Sequence, residues 1–386
     1  MALPARRAWT VLAGCWLVAA GYNAYLIAPA SVLPLVADAF GVDKPAAGLT
    51  ISAVYVAWLA FQLPGGLVMD RYDNRWLVGG GVTAFAVAAV AAAVAPGYAG
   101  LLAARLLGGA AAVFIWTAGA NVVGRVFPPK RRALGTSLFV SSAPAGFALG
   151  QFAGPPVAAA LGWRAVFVAY PAVSLLGVVL FAAAAREPVR NEAALSPRAF
   201  ARALRRPAVL AVAVSSFCAY SLFLLFNTWM PAYATEVLAV DLGAAGAATA
   251  LFPLAGLLAR PGGGWLADRV GGRRPVIVAA FVLTLPLLGA VRTVTDATAF
   301  AAVLLAAGFS SQLGIGVYYV FTRELAAEEA AGTSLAVLTT LSVAGSLVTP
   351  PAVGWLVETL SWTAAFGYAA ALVVAGIGAV LLAPRG

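Results

Sequence analysis

Two arginines stand inside long apolar runs of this 386-residue chain, Arg105 in LLAARLLGGA and Arg260 in GLLARPGGG. A guanidinium costs about 3 kcal/mol or more in lipid, so each is expected to face a polar cavity. Its flat fork of donors matches carboxylates and planar oxyanions. Arg260 precedes Asp268 by eight residues, or about 12 Å of helix, which places it near the middle of a bilayer. Arg105 lies about 10 Å in from the other end of its helix. All fourteen Asp and Glu fall at predicted helix ends or in loops. A cavity whose buried charges are arginines alone is electropositive and attracts anions.

The rest of the chemical inventory is sparse. Histidine is absent, there is no Walker loop, and no metal-ligand cluster or Ser/His pair is visible. No enzyme activity, cofactor or metal is expected, and any transport is secondary. Cys15 and Cys218 both lie in apolar runs and read as packing residues.

The elements that carry the arginines follow from composition. Of the residues 63% are hydrophobic and 10% charged, with mean hydropathy +0.95. A water-soluble domain needs roughly a quarter of its residues charged, so the apolar excess faces lipid. This excludes a soluble enzyme, a nucleic-acid-binding domain and a secreted disulfide scaffold. Breaks at charged, Gly and Pro clusters predict twelve helices, at 9–36, 46–69, 76–95, 98–124, 133–158, 164–185, 208–230, 243–267, 275–294, 298–322, 332–357 and 362–383. Arg6 and Arg7 precede an apolar stretch too long for the 7–15-residue core of a signal peptide, so an uncleaved first helix is expected.

Charge sets the expected orientation. With the N-terminus cytoplasmic, nineteen of the 24 basic residues fall inside and only Lys44, Arg164 and Arg292 outside. The net charge of +10 is thus a topology signal spread over seven segments, and no nucleic-acid partner is expected. Both termini are placed on the cytoplasmic side of a prokaryotic inner membrane.

The polar stretch 186–207 divides the chain into similar halves. GGLVMDR at 65–71 matches GGWLADR at 263–269, ALGTSL at 133–138 matches AAGTSL at 330–335, and LGWRAVF at 161–167 matches LSWTAAF at 360–366. The offsets are 198, 197 and 199. Three colinear matches imply a duplicated six-helix unit. The expected domains are 1–185, a cytoplasmic central loop 186–207, and 208–386. Parallel repeats of this kind form a standard transporter plan, with the site between them.

These residues resemble the major facilitator superfamily, whose loop between the second and third helices reads G-x-x-x-D-R-x-G-R-R. Gly66, Asp70, Arg71 and Arg75 match it, with Asp73 where glycine is usual. Gly264, Asp268, Arg269, Gly271 and Arg273 form a closer second copy. Arg105 resembles the family's helix-four arginine, and GFALGQFAGPP at 146–156 its Gly/Pro-rich fifth helix. The resemblance implies an all-α membrane fold of two six-helix bundles, with the loop motifs as conformational gates. An acid followed by arginines at the lipid–water boundary can bond across to neighbouring helices, and the small Gly66 and Gly264 are expected to allow close helix approach.

Ala259-Arg260-Pro261 looks like the eighth helix of monocarboxylate transporters, oxalate/formate exchangers and nitrate/nitrite porters, where an arginine at this place binds a small anion. Nitrate porters add a second arginine in helix two. The aligned residue here is Gln62, which favours a carboxylate. Polar and aromatic residues on helices one, four, seven and ten complete the expected site. They are Tyr22, Asn23 and Tyr25; Trp116 and Asn121; Ser216, Tyr220 and Asn227; and Ser310, Ser311, Gln312 and Tyr319. Substrate contact is assigned first to Arg260, Arg105, Tyr22, Asn23, Tyr220, Ser310, Ser311 and Gln312. The expected protein is a monomeric secondary transporter of a small anion, in contact with lipid. The alternatives are a proton-coupled drug exporter, a carrier of neutral solutes, and a non-transporting receptor that kept the fold.

Overall fold

The computed structural model describes residues 5–189, 200, 203–326 and 331–384, without the side chains at 5, 63, 67, 70, 129, 133 and 331. Arg190, Arg198, Arg202 and Arg385, with most of the expected central loop, lie outside the described residues. Among the described residues, twelve helices are long and apolar enough to cross a membrane.

The first, α1, runs Ala5–Ile27, tightens into a 3-10 turn at Ala28–Val32 and resumes at Leu33–Phe40. Lys44–Arg71 is α2 and Asn74–Ala93 is α3. Tyr98–Val113, a π turn at Phe114–Ala118 and Gly119–Val126 form α4. Pro129–Val140 with Ser142–Leu161 is α5, and Ala165–Val168 with Pro171–Ala184 is α6. Then follow α7 (Pro207–Glu236), α8 (Leu242–Arg269), α9 (Arg273–Thr293), α10 (Ala297–Leu325), α11 (Ala331–Thr359) and α12 (Trp362–Leu381).

These bounds follow the predicted spans to within a few residues, except at the end of α7. That helix continues past Pro231 to Glu236, whereas the predicted span ends at 230. Inside an apolar bundle a proline is tolerated, because neighbouring groups satisfy the carbonyl it leaves free. The 3-10 turn of α1 has the same origin, with Pro29 in its first turn.

The chain forms two compact units, residues 1–40 with 53–194 and residues 41–52 with 195–386. In the first, α1 packs against α5 and α6, and α3 against α4. In the second, α8 packs on α10, and α7 on α11 and α12. The duplication extends to contacts no sequence match disclosed. A methyl group added at Gly109 would lie 2.2 Å from the carbonyl oxygen of Val54, and one at Gly308 would lie 2.2 Å from that of Phe252. Asp43 caps the backbone N–H of Ala46 at 2.9 Å, and Asp241 caps that of Ala244 at 3.0 Å. Such caps contribute about 1 kcal/mol each.

Candidate functional site

The second unit gathers a polar cluster around Arg260. The α8 residues Gly256 and Arg260 are one helical turn apart and share a face, as do Gly308, Gln312 and Gly316 on α10. A methyl group at Gly316 would lie 2.4 Å from the Arg260 carbonyl oxygen, so the two helices meet backbone to backbone at the arginine. Across this seam the Arg260 Nε donates to Gln312 Oε1 at 3.1 Å. The guanidinium carbon sits 5.4 Å from the ring centre of Phe223 on α7. Tyr220 and Tyr319 are its electrostatic neighbours, and Thr339 of α11 lies against Tyr319.

Arg260 remains partly exposed, and Tyr319 is 40% exposed. Among the described residues no carboxylate comes within ion-pair distance of Arg260, and neither Nη has a hydrogen-bond acceptor. A positive group held where two helices pack closely, beside phenols and without a counter-charge among the described residues, can take up an anion. Phe223, Gly256 and Thr339 were not singled out in the sequence. The signal that marks Gly256 is its four-residue spacing from a charged residue in an apolar helix.

Other expected contacts are seated differently. Ser310 shares a 3.0 Å hydrogen bond with Thr284 of α9. Ser311 donates to the Ala307 carbonyl at 2.6 Å, inside α10 itself. Both are buried, Ser310 in the contact between α9 and α10.

Arg105, Tyr22 and Asn23 belong to the first unit, where all three are buried. Arg105 donates to the carbonyl oxygens of Tyr25 at 3.0 Å and Leu26 at 2.6 Å, and its guanidinium lies 4.5 Å from the Tyr25 ring centre. Tyr22 donates to the Gly108 carbonyl at 3.2 Å, and the Asn23 amide donates to Ala19 at 2.7 Å. Each of these polar groups has a protein partner inside the α1–α4 packing or within α1.

The two loop motifs differ in their wiring. In the first, Arg75 is held by Asp73 at 2.6 and 2.8 Å and donates to the Ala185 carbonyl at 3.0 Å. Asp73 also caps α3 and accepts the N–H of Val189 at 3.0 Å. Burial alone would raise the Asp73 carboxyl, but the hydrogen bonds from Arg75 and from the Val189 N–H outweigh it and hold its pKa below the usual carboxylate range. In the second motif Arg273 bonds Asp268 and, at 3.0 Å, Glu324 at the end of α10.

The backbone explains why Asp73 can replace a glycine. Gly271, the aligned residue, has φ +68°, where glycine is favoured, whereas Asp73 has φ −67°. The aligned partner of Glu324 in the first half is Val126, so α4 offers Arg75 no carboxylate there and Asp73 supplies one. Arg71 and Arg269 are exposed, and Arg269 lies 4.4 Å from the Trp265 ring centre. The side chain of Asp70 lies outside the described residues.

One expectation is corrected. A methyl group at Gly66 or Gly264 would meet no atom within 4 Å among the described residues. The close approaches fall one residue earlier. A methyl at Gly65 would lie 2.6 Å from Val113, and one at Gly263 would lie 1.9 Å from the Leu313 carbonyl oxygen. The helix face turned to its neighbour is that of the preceding glycine.

Comparison with known proteins agrees with this architecture. The family model of the Major Facilitator Superfamily matches residues 14–246 and 212–385. A probable chloroplastic anion transporter 4 of Oryza sativa subsp. japonica is 26% identical over 90% of the chain, which spans 63% of that protein's length. A hexuronate transporter of Bacillus subtilis is 24% identical over 88% of the chain and 86% of its own length. In fold the chain is similar to a bacterial homologue of the human lysosomal transporter Spinster. That match has a TM-score of 0.77 at 16% identity, covering 97% of this chain and 94% of that one. The expected fold of two six-helix bundles agrees with that neighbour. With family matches running through both halves and twelve membrane-crossing helices between them, this multi-pass membrane protein belongs to the Major Facilitator Superfamily.

Proposed function

We propose that the chain is a secondary transporter that carries a small anion, a carboxylate, by alternating exposure of Arg260 to the two sides of the membrane. The observation that carries this reading is the Arg260 guanidinium, set in α8 with no carboxylate beside it among the described residues. Relatives named for anions, one of them for a hexuronate, support it. The two Nη groups bind the carboxylate, and Tyr220 and Tyr319 flank it. Ser310 and Ser311 stand behind this site rather than in it, and Arg105, Tyr22 and Asn23 brace the first unit.

The loop motifs serve gating, with Asp268, Arg273 and Glu324 joining the ends of α8, α9 and α10. The protein works as a monomer in a prokaryotic cytoplasmic membrane, both termini inside. Proteoliposome uptake of labelled lactate and glucuronate tests the reading. Wild type accumulates one of them and Arg260→Ala does not. Uptake by Arg260→Ala at the wild-type rate would overturn it.

A further inference from the structure

Gln312 is fully buried, and its amide is fixed from both ends. Two carbonyl oxygens, of Phe252 at 2.8 Å and Gly308 at 3.2 Å, face its Nε2. Carbonyls accept only, so the NH2 must point at them and the Oε1 must point at Arg260. The seat is cut to shape, because a methyl group at Gly256 would lie 2.1 Å from that Oε1. Arg260 is therefore held at Nε by Gln312 and covered on one face by Phe223. The edge left to a ligand is the one formed by Nη1 and Nη2.

We infer that Gln312 is a positioning residue for Arg260. Its carbonyl oxygen fixes the rotation of the guanidinium so that the Nη1–Nη2 edge, with its paired donors, meets a single carboxylate. The neutral amide matters as much as its position. A glutamate in the same seat would accept the same hydrogen bond and cancel the charge that draws the anion. Gln312 acts through Arg260, so the inference rests on the anion reading above.

The test uses the full-length protein in detergent, with lactate and glucuronate as probes. Gln312→Glu, nearly isosteric, is expected to weaken binding of the better probe by roughly tenfold or more, and also to lower the ligand-free melting temperature, because its second oxygen faces the Phe252 and Gly308 carbonyls that now accept from Nε2. A merely structural role would move the melting temperature and leave the affinity alone. A second arm needs no ligand. Gln312→Met is expected to lower the melting temperature in the wild-type background and much less in Arg260→Met, since the pair is coupled. Wild-type affinity in Gln312→Glu, or full additivity in the cycle, overturns the inference. Coupling in the cycle without any probe binding to wild type overturns the anion reading, and reduces the Gln312 contact to architecture.

Discussion

Arg105 on α4 donates to the carbonyl oxygen of Tyr25 on α1, whose helical partner would be Pro29, a residue with no N–H to give. The proline frees an acceptor deep in the first unit, and the arginine satisfies it together with the neighbouring Leu26 carbonyl. A buried carbonyl left unpaired costs about 1–3 kcal/mol. Arg105→Ala is therefore expected to destabilise the protein by at least that amount, and Arg105→Lys, lacking the two-pronged geometry, to recover little. Pro29→Ala returns a helical donor to Tyr25 and should soften the loss in Arg105→Ala. Thermal unfolding in detergent reads all three. A lysine variant as stable as wild type would contradict this account.

Asp73 gives a pH-dependent prediction. Its carboxyl is held below the usual range, so its contribution to stability is complete above the unfolded-state pKa and is lost as pH falls through the lower folded-state value. Asp73→Ala removes the cap of α3 and the partner of Arg75, and is expected to cost about 1 kcal/mol at neutral pH. Melting curves of wild type and variant should stand apart at pH 7 and draw together in acid. A gap that widens as pH falls would refute the assignment.

Adjacent glycines on α8 should behave in opposite ways. Gly263→Ala drives a methyl group into the Leu313 carbonyl and is expected to cost about 1–3 kcal/mol or more. Gly264→Ala meets open space and gains helix propensity, so its melting temperature should hold or rise. Equal destabilisation of the two variants would contradict the packing described here.

Much of this fold is legible in the sequence, and for a plain reason. A bilayer demands about twenty apolar residues per crossing, so hydropathy marks each span, and three repeated segments disclose the duplication. The overrun of α7 past Pro231 was not legible, because a proline among packed helices is compatible with either a continued or an ended span, as the prolines inside other predicted spans already imply.

Arg260 declared itself by charge, but the way it is held did not. Gln312 read as one polar residue among several, and only the close passage of α8 and α10 shows that its amide turns towards the arginine. Tyr22 and Ser310 looked equally suited to a ligand. Their partners, the Gly108 carbonyl and Thr284, lie on other helices, and no spacing along a single helix can reveal such pairings.

The most direct test of the central claim is a thermal-shift panel on purified protein, wild type beside Arg260→Ala. The ligands are lactate, glucuronate and other small carboxylates, with phosphate, neutral sugars and cationic drugs as controls. A ligand at 100 times its dissociation constant adds about 2.7 kcal/mol, enough to see in a melt. A carboxylate is expected to shift the melt of wild type, and that shift to disappear in Arg260→Ala. Stabilisation by neutral or cationic compounds alone, or an anion shift that survives the loss of Arg260, would contradict that claim.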